Sequence, residues 1–247
     1  MIIAIDGPAA AGKGTLARRL AMHLNLAYLD TGLIYRAVAK RVLIAGADPE
    51  DAVAAEAEAR AMQPVALQLE GLRTDEVAQA ASVVSAVPGV RAALLEFQRD
   101  FAISPPDGKA GAVLDGRDIG TVVCPEATLK LFVTASTEVR ARRRVKELQD
   151  RGLEAIYSRV LEDMRERDVR DSERAVSPLR PAEDARTLDT SDLDADQVFQ
   201  AALNLIGSQK SLLHAFCKCT IWMTYKYLHV PYLLMFCTYV GQLLTQV

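Results

Sequence analysis

Residues Gly7 to Thr15 read G-P-A-A-A-G-K-G-T and follow directly on the apolar run Ile2-Ile3-Ala4-Ile5. A β-branched strand pattern thus feeds a glycine-rich turn that opens the helical pattern over 15–21. The frame G-x-x-x-x-G-K in this setting is a phosphate-binding loop. Backbone N–H groups converge on phosphate oxygens at the positive end of a helix dipole. Gly7, Gly12 and Gly14 allow close approach of the backbone, Pro8, Ala9, Ala10 and Ala11 fill the loop, and Lys13 is placed to reach β- and γ-phosphates. The chain is therefore expected to hold a nucleoside triphosphate. The hydroxyl that commonly follows the lysine is missing: Gly14 stands there and Thr15 comes one residue later. Direct coordination of Mg²⁺ by Thr15 is accordingly in doubt.

The 247 residues can bury a sizeable core, and a net charge of −3 gives no sign of nucleic-acid binding. Met1 runs straight into the first strand and Asp6 cuts the apolar stretch short, so no secretory leader is expected. Cys124, Cys217, Cys219 and Cys237 form no C-x-x-C pair. Together with His23, His214 and His229 they make no recognisable metal set. A reducing, cytoplasmic setting follows.

Composition changes near Ser208. From there to Val247 there is no acidic residue, and the only cations are Lys210, Lys218 and Lys226. The body, 1–207, then holds all 32 acidic residues against 26 basic ones and carries −6. The stretch from Tyr227 to Val247 has no full charge but is interrupted by His229, Pro231, Gly241 and Gln242. Three readings stay open for the tail: a foreign or out-of-frame extension, a membrane-anchoring or interfacial segment, and a packed C-terminal helix.

Within the body, strand patterns at Ile2–Ile5, Ala27–Leu29, Ala112–Leu114, Leu129–Val133 and Arg186–Leu188 alternate with helical ones. The latter fall at Gly14–Leu24, Leu33–Ala45, Val90–Ile103, Thr137–Arg151, Glu154–Arg170 and Ala195–Ile206. Such alternation predicts an α/β fold, a parallel sheet covered on both faces with ligands at the carboxyl ends of its strands. Asp6, Asp30, Asp115 and Asp189 all follow strand ends. Residues 46–104 read as an insertion, a lobe apart from the sheet, with a small strand at Val65–Leu69 and a short helix at Thr74–Ala81.

Three further segments carry chemistry. In Asp30-Thr31-Gly32-Leu33-Ile34-Tyr35-Arg36 a hydroxyl and an arginine open a helix, and the arginine can fork onto a phosphate; a capping Thr with a surface Arg is the plain alternative. In Leu114-Asp115-Gly116-Arg117-Asp118 two carboxylates flank an arginine at a strand end. Asp115 is placed to hold Mg²⁺, directly or through water, and Arg117 to neutralise a phosphate; the plain alternative is a structural Asp–Arg pair. Between Arg140 and Arg174 ten arginines interleave with nine acidic residues, so the field largely cancels and nucleic acid is not expected as a partner. A solvated, ion-paired helix suits Arg159 and Arg165. A mobile lid over transferring phosphates, about 145–175, suits Arg167, Arg170 and Arg174.

With these segments assembled, residues 1–207 resemble the bacterial cytidylate kinases. The matching stretches are I-D-G-P-A-A-A-G-K-G-T, L-D-T-G-L-I-Y-R, A-A-S-V-V-S-A-V-P-G-V-R, L-D-G-R-D-I-G-T-V-V and R-E-R-D-V-R-D-S-E-R-A-V-S-P-L, in that order. The resemblance implies a P-loop NTPase-type core with an enlarged monophosphate-binding lobe and a short lid. It implies Mg²⁺-dependent transfer of the ATP γ-phosphate to CMP or dCMP by a cytoplasmic monomer. Carried over by position, Thr31, Arg36, Arg117 and Arg174 would line the monophosphate site, and Ser82, Arg91 and Asp118 would read the cytosine. Asp171 and Arg167 would meet the sugar, with Arg167 also counted with Lys13 and Arg170 in the catalytic set. Arg170 would stabilise the transferring phosphate, and Arg140 and Arg144 would flank the adenine. The rivals are a P-loop kinase for UMP, AMP or shikimate, and a non-catalytic, membrane-associated nucleotide-binding module. The resemblance gives no account of the tail.

Overall fold

A computed structural model describes residues 1–207; the expectations for the tail lie outside the described residues. The strands are β1 (Ile2–Asp6), β2 (Ala27–Asp30), β3 (Ala112–Gly116), β4 (Leu129–Thr134) and β5 (Arg186–Asp189). They form one all-parallel sheet in the order β2-β3-β1-β4-β5. β1 and β3 are buried almost throughout, which is why they read as continuous apolar runs rather than alternating ones. Successive chain segments leave β1 toward β2 on one side and reach β4 on the other, so the order reverses at the centre of the sheet. A crevice opens at such a reversal, outside the carboxyl ends. Register sets Asp6 beside Gly116 and Asp30 beside Asp115 along that edge.

The helices are α1 (Lys13–His23), α2 (Thr31–Ile44), α3 (Ala52–Arg60), α4 (Asp75–Val84), α5 (Pro88–Ile103), α6 (Thr137–Asp150) and α7 (Tyr157–Glu173), and a further helix begins at residue 195. Side-chain caps fix several starts. Asp30 accepts from the Leu33 N–H at 3.3 Å, Asp51 from Val53 and Ala54 at 2.9 and 3.2 Å, and Ser136 from Val139 at 3.3 Å. The helix expected over Glu154–Arg170 starts and ends three residues later. That shift carries Asp171 onto α7 and makes Arg174 its C-cap.

No residue of 46–104 joins the sheet, yet its apolar side chains belong to the same cluster as the sheet's. Ala55, Ala59, Ala81, Val84, Val90 and Leu94 pack in one core with Leu29, Ile34, Ala112 and Leu114. The strand expected at Val65–Leu69 is instead a 3₁₀ turn, Pro64–Gln68, that pairs with no strand. A short apolar run becomes a strand or not according to the packing around it. Here Ala66 is instead buried in a small cluster with Ala37 and Leu72. Helix α3 was not legible, because its buried face consists of two alanines, Ala55 and Ala59, one turn apart.

The start of the sheet leaves no room at Gly111, where a Cβ would come within 1.9 Å of the Met1 carbonyl oxygen. This position is remote from the strands' carboxyl ends. Gly111→Ala is expected to lower stability by about 1–3 kcal/mol while leaving kcat of the folded fraction unchanged. Thermal melts paired with turnover assays check this.

Candidate active site

The phosphate loop departs from β1 under steric constraint. Gly7 has φ +145°, and a Cβ there would lie 1.9 Å from the Val133 carbonyl oxygen, so the loop packs directly on β4. Ala10 (φ +57°) and Gly12 (φ +92°) bend the backbone through the left-handed region ahead of α1. Ala11 is buried, and its carbonyl accepts from the Thr190 hydroxyl at 3.0 Å. The Lys13 Nζ folds back to donate to the Pro8 carbonyl at 2.8 Å.

This loop forms one wall of a cavity of about 460 Å³. Ala9, Ala10, Gly12, Lys13, Gly14 and Thr15 line it from α1's side, and Thr31 and Arg36 from α2's. Ser82 on α4 and Arg91 on α5 line it too, as do Asp115, Arg117 and Asp118 at the end of β3. Arg144 on α6 and Arg167, Arg170, Asp171 and Arg174 on or just after α7 complete it. Spacing explains the last group: positions 167, 170, 171 and 174 fall on one face of a helix. Gly7, Pro8, Ala11 and Arg140 do not line the cavity.

Ion pairs fix the lining arginines. The Arg117 Nε donates to an Asp171 carboxylate oxygen at 2.9 Å, tying β3 to α7. Burial alone would push Asp171 up, but Arg117 and Arg167 hold its carboxyl below the usual carboxylate range. Arg91 pairs with Asp118 where both are buried, donates to the Ser85 carbonyl at 3.0 Å, and lies over the Tyr35 ring. The Arg170 guanidinium donates to the Ser82 hydroxyl at 3.0 Å, and Arg36 to the Leu72 carbonyl at 3.0 Å. The Thr31 hydroxyl donates to the Asp115 carbonyl at 2.8 Å.

These counter-charges do not satisfy the cluster. Burial, and after it Arg117, push Lys13 down to about 7; the same two causes push Arg167 down to about 10. Arg167 Nε and one terminal nitrogen of Arg174 are buried with no hydrogen-bond partner. Buried donors left unpaired are costly, so the cavity is built to receive several anionic oxygens.

Asp115, the last residue but one of β3, lies beside the loop, and burial pushes its carboxyl up to about 6. A Cβ on Gly14 would come 3.2 Å from its Oδ2, so the carboxylate occupies space that a side chain after Lys13 would take. Thr15 is exposed. Mg²⁺ binds with one or two carboxylates, several waters and substrate phosphates, and a lone buried carboxylate facing a phosphate loop fits that demand.

Arg140 is 3% exposed and occupied elsewhere. It forks onto Asp168 at 2.6 and 3.1 Å, donates to the Ala135 carbonyl at 2.9 Å, and touches the Ala9 carbonyl at 3.3 Å. It therefore joins α6 and α7 to the phosphate loop. Arg144 does face the cavity, between Glu147 at 2.8 Å and Asp75 of α4. Sequence reasoning missed Tyr35, Arg73 and Asp75, which also line the cavity; they belong to no spacing that chemistry requires. Asp189 ends β5 at the same edge, as expected, but it is exposed, bonded to Ser191, and does not line the cavity.

The family model for cytidylate kinase matches residues 3–208. The chain belongs to the cytidylate kinase family. It is 69% identical to the cytidylate kinase of Paramagnetospirillum magneticum over 209 residues, 85% of this chain and 99% of that one. It is 62% identical to the cytidylate kinase of Rhodospirillum rubrum, over 85% of this chain and all of that one. With that of Methylocella silvestris the identity is 56%, over 87% of this chain and 98% of that one. The family match ends where the composition changes. Among the described residues no single helix is long and apolar enough to cross a membrane.

The contrast between the two α6 arginines is testable. Arg140→Met leaves Asp168 unpaired; the Asp168 side chain is 27% exposed, so the expected loss of stability is about 2 kcal/mol rather than the full cost of breaking a buried pair. Arg144→Ala breaks half-exposed pairs and is expected to cost under about 1 kcal/mol. Urea unfolding of both variants measures the difference.

Proposed function

We propose that the protein transfers the γ-phosphate of ATP to CMP or dCMP, giving ADP and CDP or dCDP. Membership of the cytidylate kinase family supports this, and one structural observation carries it. A single cavity joins the Lys13 loop to a group of arginines, of which Arg167 and Arg174 each keep one buried nitrogen without a partner, and that group to the buried trio Ser82, Arg91 and Asp118. Phosphoryl transfer needs positive charge around the equatorial oxygens and in-line geometry, with little covalent chemistry. Both nucleotides meet residues of one chain, which supports a monomer as the working unit, and the reading places it in the cytoplasm.

In this reading the loop backbone and Lys13 hold the donor phosphates, with Arg144 at the donor side. Arg36, Arg117 and Arg174 hold the acceptor phosphate, with Thr31 beside them. Arg167 and Arg170 neutralise charge on the group in transit, and Arg167 and Asp171 reach the acceptor sugar. Ser82 and the Arg91–Asp118 pair offer a hydroxyl, N–H donors and a carboxylate, matching the N4, N3 and O2 edge of cytosine; a purine would not use this trio. Mg²⁺, held by Asp115 through water, with Thr15 at the margin, would neutralise charge on the β- and γ-phosphates. Lys13, Ser82, Arg91, Asp115, Asp118 and Asp171 are buried, and away from water each charge counts for more.

A coupled ADP-release assay across CMP, dCMP, UMP, AMP and shikimate tests the reading. Turnover is expected with the first two, and preference for any of the others would reject it. Lys13→Ala is expected to lower kcat by at least about 10² in a folded protein. Asp118→Ala is expected to raise the KM for CMP more than that for ATP, by the about 1–3 kcal/mol of a lost buried partner; equal shifts would make Asp118 structural. A chain ending at Gly207 is expected to keep full specific activity, since every residue named above precedes it; loss of folding on truncation would show otherwise.

A further inference from the structure

Asp6 is the last residue of β1 and directly precedes the phosphate loop, yet its carboxylate does not line the cavity. It is 5% exposed. Its two oxygens are both committed: Oδ1 accepts from the Ile119 N–H at 2.8 Å and Oδ2 from the Gly120 N–H at 2.7 Å. Those amides open a short π-helical turn, Ile119–Val123, closed by a bond from the Cys124 N–H to the Ile119 carbonyl at 2.7 Å. The first N–H groups of any helical turn lack internal partners. Here the partner comes from a residue more than a hundred positions away. The turn begins one residue after Asp118, and Arg117 and Asp118 are the side chains that reach Asp171 and Arg91 across the cavity.

The geometry points to Asp6 as a positioning residue for the acceptor nucleotide: from the root of the donor loop, its carboxylate fixes the segment that carries Arg117 and Asp118. A carboxylate suits two parallel N–H donors, one per oxygen. Asparagine has the same shape but turns an NH₂ toward one of the two amides, which both unpairs that N–H and pushes on it. The clamp can also be pressed from its other side. A Cβ at Gly120 would come 3.3 Å from Asp6 Oδ2 and 3.1 Å from Lys130 Cδ, close enough that the carboxylate and the lysine stem must give by a few tenths of an ångström. A role in the phosphate loop alone would disturb ATP; a role through Arg117 and Asp118 disturbs CMP.

This inference rests on the assignment of Arg117 and Asp118 to the acceptor. Steady-state kinetics of the full chain test it, with CMP varied at saturating ATP and ATP varied at saturating CMP. Asp6→Asn is expected to raise the KM for CMP about tenfold or more, with the KM for ATP changed less than about threefold, and to narrow the preference for CMP over UMP. Gly120→Ala is expected to shift the same constants in the same direction by less. Equal shifts in both KM values, or a shift for ATP alone, would overturn the role. Should Asp6→Asn fail to fold, an unchanged KM for CMP in Gly120→Ala would overturn it equally. A wild-type chain releasing no ADP with CMP would remove the functional reading itself and is seen before either variant is made.

Discussion

Keeping like charges together out of water is the constraint on which the rest of the structure depends. Lys13, Arg117, Arg167 and Arg174 line one cavity, and burial and neighbouring cations push the Lys13 and Arg167 side chains down from their ordinary values. Such a cluster persists only because carboxylates are interleaved with it at fixed points. Asp115 stands beside Lys13, Asp171 beside Arg117, and Asp118 beside Arg91. Asp115 and Asp118 come from the end of β3 and Asp171 from α7. The folded protein thus stores repulsion that a polyanionic ligand relieves, the arrangement that favours binding and transfer of phosphate over simple stability.

The scaffold makes this possible by bringing remote segments to one edge. Parallel strands place all their carboxyl ends together, so Asp6, Asp30 and Asp115 converge without any contact in sequence. The helices of 46–104 close the opposite wall, and because they share the sheet's apolar core they hold Ser82 and Arg91 firmly. On α7 the helical repeat sorts Arg167, Arg170 and Asp171 onto the cavity face, and Arg174 follows as the C-cap.

Legibility followed the range of the interactions involved. The five strands and the phosphate loop were readable because apolar runs and glycine spacing are local signals. The site arginines were readable once the family resemblance was in hand, yet their geometry was not. Arg140 sits in an arginine-dense helix beside Arg144, and nothing local separates the buried arginine from the one that faces the cavity. The fork onto Asp168, 28 residues on, decides it. Helix α3 and the 3₁₀ turn at Pro64–Gln68 went unread for a related reason. Alanines pack well only where a neighbouring helix comes close, and a short apolar run takes the form that its tertiary packing favours, here Ala66 against Ala37 and Leu72. Asp6 stands in the phosphate-loop stretch, but its role was not legible there, because its partners lie 113 and 114 positions away.

Gly14 and Asp115 are close neighbours. A Cβ added at 14 would lie 3.2 Å from Asp115 Oδ2, so the position after the loop lysine is tight against a carboxylate from the next strand but one. The two positions are therefore coupled although they come from distant parts of the chain. A side chain at 14 obliges the Asp115 carboxylate to give by a few tenths of an ångström, and a serine or threonine hydroxyl there would meet a charged hydrogen-bond acceptor.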